Sequence, residues 1–143
     1  MKVKAIASSM TNAPIDVLQA GWSTQSQVFV TIGREYEVHA LVFAGNPEYR
    51  TPRPRILGFQ IVNDIDSPSF YPTCLFEVVD RTLPHDWECN LFPPGNFLIG
   101  PRFIIESTEA FDAMSDKEPD AMRKFRSRLQ DIEAERRKAE EYT

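Results

Sequence analysis

Glu35-Tyr36-Glu37-Val38-His39-Ala40-Leu41-Val42-Phe43 is the stretch on which the architecture turns, because Tyr36, Val38, Ala40 and Val42 alternate there with Glu35, Glu37 and His39. Successive side chains of an extended backbone point to opposite sides, so this spacing predicts a strand with one wet face and not a helix. His39 is then an outward residue of that strand. The wet side turns apolar at Leu41 and Phe43, so the end of the strand is expected to be covered on both sides. Strand-forming residues begin at Val28, giving one strand over 28–43, and Gly45-Asn46-Pro47 stops it.

Working outward toward the C-terminus, the same pattern returns between turn signals. Ile56 to Val62 reads as a second strand, Thr73 to Asp80 as a third with Cys74, Phe76 and Val78 on one face, and Trp87 to Leu91 as a fourth. Phe97 to Ile105 is apolar but interrupted at Gly100-Pro101, which predicts two short strands or one bent strand. Asn63 to Pro68, Leu83 to Asp86 and Pro93 to Asn96 carry the turn chemistry between them. Connections this short leave no room for helical crossovers, so the strands pair antiparallel.

The helical signal is C-terminal. After Pro119, a residue suited to a first helical turn, Met122, Phe125, Leu129 and Ile132 fall on one stripe that should dock on the sheet. A shorter helix is expected over Thr108 to Met114, and the charged turns beyond Ile132 are expected to stand in solvent. The fold expected is α+β: a twisted antiparallel sheet, or a small open SH3-like barrel, of five or six strands with a C-terminal helix. We read a single domain over 1–143, with the sheet in about 1–106 and the helical segment in about 108–142.

The 143 residues are 42% hydrophobic and 26% charged, enough for one packed core and too few for separate cofactor and substrate domains. No apolar run approaches the roughly 18 residues that span a bilayer, and Met1 to Ala7 passes into polar residues without the apolar stretch of a secretory signal. A cytoplasmic protein with no membrane partner is expected.

Chemistry is sparse. His39 and His85 are the two histidines, and neither they nor Cys74 and Cys89 fall in a metal-ligand spacing. Both cysteines read as buried free thiols, with a disulfide between them as the alternative. Asp64 and Asp66 are spaced like the first oxygens of a calcium loop, but Ser67-Pro68 breaks the pattern, so no metal is expected. No glycine-rich phosphate cradle and no serine in a glycine elbow is present, so neither a cofactor nor nucleophilic catalysis is expected. Trp22, Tyr36, Tyr49, Tyr71 and Trp87 are better placed in a core than on a stacking platform. With basic residues clustered only at Arg50, Arg53 and Arg55, nucleic acid is not the expected partner.

Charge distribution says more. Residues 50–63 carry three arginines and no carboxylate, whereas residues 64–100 carry one arginine against six carboxylates. Asp64, Asp66, Asp80, Asp86 and Glu88 lie in turns or on wet faces, and Trp87 between the last two is a candidate aromatic anchor. These six residues form the expected partner-binding site, on the premise that the turns converge into one anionic patch facing a protein with a basic surface.

The runs Ile32 to Phe43, Tyr71-Pro72-Thr73-Cys74-Leu75-Phe76-Glu77-Val78-Val79-Asp80, Leu83-Pro84-His85-Asp86-Trp87-Glu88 and Ile99-Gly100-Pro101 resemble small single-domain bacterial toxin-immunity proteins. The likeness covers about Ile32 to Ile105 and follows a strand-and-turn pattern. It implies a non-enzymatic protein that neutralises a toxic domain by direct occlusion, and it transfers no site residue. The alternative is a small adaptor module that uses the Pro/Arg segment Arg50 to Arg55 as its contact. A third possibility, an enzyme, needs His39 or His85 beside a carboxylate in a pocket.

Overall fold

A computed structural model describes residues 1–46, 53–93 and 95–142, with only the backbone described at Asn46. In chain order the elements are β1 (Lys2–Ala5), α1 (Ile15–Gln19), β2 (Glu35–Glu37), β3 (Ala40–Asn46), β4 (Arg53–Val62), β5 (Pro68–Pro72), a 3₁₀ turn (Thr73–Leu75), β6 (Phe76–Asp80), β7 (Trp87–Phe92), β8 (Asn96–Pro101), α2 (Arg102–Ile105), α3 (Thr108–Ser115) and α4 (Pro119–Glu141). The fold is α+β and every strand pair is antiparallel.

Instead of one sheet of five or six strands there are two: a three-stranded sheet in the order β2-β1-β6 and a five-stranded sheet in the order β5-β4-β3-β8-β7. Of the predicted strand over 28–43, residues 28–34 are irregular with a turn at Ile32-Gly33, and the strand that remains, 35–37 and 40–43, is divided between the two sheets. Val38 donates its N–H to the carbonyl of Met1 at 3.0 Å, and His39 donates to the carbonyl of Gln60 at 2.8 Å, so the chain changes sheets between adjacent residues. Alternation continues through the handover while the surroundings change. Tyr36 and Val38 enter the core between the two sheets, whereas Ala40 and Val42 enter a second core against the helices. Leu41 packs back on the first core, which is why both sides of the strand turn apolar there.

Because Phe59 and Ile61 belong to the first core and Val62 to the second, the five-stranded sheet is the middle layer. Below it lie β1, β2, β6 and α1, and above it α2, α3 and α4. Phe125 on α4 is 2% exposed, and Met122 and Leu129 pack beside it, as the stripe requires. Gly58 on β4 is fixed by packing, since a Cβ there would sit 1.9 Å from the Phe70 ring on β5. Between these strands Asn63 builds the turn: its Oδ1 accepts from the N–H groups of Ile65 at 3.1 Å and Ser67 at 3.0 Å, and Asp66 takes a left-handed φ of 57°. No helix among the described residues is long and apolar enough to cross a membrane.

Three side-chain expectations change. His39 is 4% exposed, with its ring edge-on to Phe125 at 4.8 Å, because the handover at Val38 turns it toward the helices. Cys89 is an exposed free thiol on the edge strand β7, and Cys74 a partly buried one in the 3₁₀ turn and not on a strand face. Of the Arg50–Arg55 segment, Arg50, Thr51 and Pro52 lie outside the described residues, as does Tyr49. Arg53 and Arg55 open β4, where Arg55 Nε donates to Asn96 Oδ1 at 3.0 Å.

Candidate functional site

The residues connecting β6 to β7 stand across from the second half of α4, and a groove of about 390 Å³ lies between them. From the helix it is lined by Arg128, Asp131, Ile132, Glu135, Arg136 and Ala139, a spacing of three and four that marks one stripe. From the opposite wall come Asp80, Leu83, His85 and Asp86, and from β2 Glu37.

Ion pairs hold the walls together. Both Nη atoms of Arg128 donate to the Asp86 carboxylate, and Arg136 Nη2 donates to Glu37 Oε2 at 2.7 Å. The last turns of α4 are exposed, as expected, yet through Arg136 they are tethered to the three-stranded sheet. Asp80 accepts the N–H of Thr82 at 2.9 Å, and that bond holds its carboxyl below the usual range. Asp131 and Glu135 have no cationic partner among the described residues. Five carboxylates therefore face two guanidinium groups and the α-ammonium of Met1, and the groove keeps a net negative charge.

The six sequence-derived residues do not meet at one place. Asp80 and Asp86 line this groove together. Glu88 lines a neighbouring groove with Asp86, Arg102, Arg123, Lys124, Arg128 and Asp131, where it takes a two-pronged bond from Arg102 at 2.8 and 2.9 Å. Asp66 lines a third groove, across the Arg123–Ser127 ridge of α4, with Lys117, Arg123 and Arg126.

Asp64 is exposed but its carboxylate is fully engaged, accepting hydrogen bonds from Tyr36 Oη at 2.6 Å, Thr31 Oγ1 at 2.7 Å and Arg34 Nη1 at 2.7 Å. Burial pushes its carboxyl up, but those bonds and the Arg34 charge outweigh it and hold the pKa low. Its work is to close the 31–36 turn. Trp87 is half-buried against the core between the sheets, with Nε1 buried and unpartnered, so it is not a free anchor. Leu83, 50% exposed on the groove wall, has that position instead.

Sequence reasoning missed Asp131, Glu135 and Glu37. The signal was the i, i+3, i+4 recurrence of charge from Arg128 onward, an arrangement that resembles an ordinary solvated helix face. Among the described residues no group of three or more His, Cys, Asp and Glu could hold a metal ion. His85 lines the groove beside Asp80 and Asp86, the placement the enzyme alternative calls for, and its imidazole makes no hydrogen bond to either carboxylate among the described residues. No protein-family model, curated protein or solved structure matches the chain.

Proposed function

We propose that this chain is a non-enzymatic protein-binding domain whose acidic groove receives basic side chains of a protein partner, and that its specific form is an immunity protein occluding a toxin in the cytoplasm. The observation that carries this reading is the pair Asp131 and Glu135, unpaired on the wall of a groove in which carboxylates outnumber cations. Unpaired carboxylates keep their potential for an incoming lysine or arginine, whereas Asp86 and Glu37 are already spent on holding α4. Matched potentials of this kind raise association rate and partner choice more than affinity. Leu83 and the half-buried Ile132 supply apolar surface in the same groove.

The test is protection. The reading requires a toxin domain from a neighbouring gene: cells producing it should survive with the wild type and die with Asp131→Lys/Glu135→Lys, while Arg53→Glu should protect as the wild type does. Protection by the double variant, or its loss in Arg53→Glu alone, overturns the groove reading, the latter in favour of the adaptor alternative.

A further inference from the structure

We propose that the open edge of β7 pairs antiparallel with β7 of a second copy of this chain, about a two-fold axis at Cys89. Exposed strand edges offer unpaired N–H and C=O groups, and proteins blunt the edges they do not use with short strands, charges, prolines or bulges. Three of the four sheet edges among the described residues are blunted in this way. β2 has 3 residues, of which Glu35 and Glu37 are two. β5 begins at Pro68 and ends at Pro72. β6 carries Glu77 and Asp80, and its register on β1 shifts between Lys2 and Val3. β7 has 6 residues, no proline, an unbroken register on β8, and as its one charge Glu88, which Arg102 already neutralises.

Its side chains are complementary to themselves. Trp87-Glu88-Cys89-Asn90-Leu91 runs apolar, polar, cysteine, polar, apolar in either direction. Antiparallel pairing centred on Cys89 sets Trp87 against Leu91 of the second copy on one face and Glu88 against its Asn90 on the other. No like charges meet. Centring the pair on Glu88 would instead set two Glu88 carboxylates against each other, so like charge disfavours that neighbouring register.

The edge also has apolar surface to cover. Leu91 is 72% exposed and ends a row that runs in register across four strands, Leu57, Phe43, Phe97 and Leu91, with the two phenylalanine rings stacked at 5.0 Å. A two-fold pair, the commonest closed symmetry, would place beside it the exposed part of the second copy's Trp87, which is otherwise packed on its own core. This contact does not depend on the acidic groove, and either can fail alone.

Sedimentation velocity in reducing buffer should give a dimer for the wild type and a monomer for Leu91→Lys, with unchanged circular dichroism because Leu91 is exposed. On a Cys74→Ser background, diamide should link the dimer through Cys89, and adding Leu91→Lys should abolish the link. A wild type that sediments as a monomer at every concentration, or a dimer that Leu91→Lys leaves intact, overturns the proposal.

Discussion

The imidazole of His39 is held neutral by burial first and then by the charges of Arg128, the Met1 ammonium and Arg136, which lower its pKa from 6.5 to about 3. In the unfolded chain it regains its ordinary value, so between those limits the unfolded state binds the extra proton. Stability from this group is thus fully present above about pH 6.5 and is lost as pH falls toward 3, by roughly 1 kcal/mol for each pH unit. Urea midpoints should fall as pH drops from 6.5 to 5, above the range where Asp64, Asp80 and Glu88 titrate, and His39→Phe should flatten that segment. An equally steep loss in His39→Phe would assign the proton elsewhere. From the sequence, His39 belonged with Glu35 and Glu37 on a wet face; its burial follows from a change of sheet that alternation does not report.

Among the elements, α4 was the most legible. Met122, Phe125 and Leu129 recur at the helical period, and the packing of Phe125 under His39 follows from it. Removing that ring should cost about 3–5 kcal/mol, so Phe125→Ala should lower the thermal midpoint more than any exposed substitution on the helix. The link between α3 and α4 makes a different prediction. Lys117 takes a φ of 54° while its N–H reaches the carbonyl of Met114 at 3.2 Å and the N–H of Glu118 reaches that of Ala113 at 2.9 Å, a helix end that favours glycine. Lys117→Gly should raise stability by up to about 1 kcal/mol, read as a higher denaturant midpoint with an unchanged slope.

Strands were read less evenly. β7 was found because Glu88 and Asn90 alternate with apolar neighbours, but β5 was hidden by Pro68 and Pro72, which look like turn residues and are tolerated on a sheet edge. Lys2 and Lys4 hid β1, although Val3 and Ala5, which alternate with them, are fully buried.

At the scale of the molecule, three layers leave one end of α4 standing over the connection from β6 to β7, and the acidic groove forms there. Two of its five carboxylates were legible: Asp80 and Asp86 stood out as acidic turn residues, while Asp131 and Glu135 had the period of a solvated helix face and Glu37 that of a wet strand face. Which turns meet depends on which strands are neighbours, and Asp64 and Asp66 fall elsewhere because β4 and β5 lie at the opposite edge of the sheet from β7. Self-pairing through β7 belongs to this scale too, with the sedimentation of Leu91→Lys as its measure.

Calorimetric titration of the chain with a toxin domain from a neighbouring gene, the partner the proposed function requires, repeated with Asp131→Lys/Glu135→Lys, probes the groove most directly. Saturable heat for the wild type that weakens with salt and disappears in the double variant is the predicted result. No heat for the wild type, or equal heat for both proteins, would contradict it.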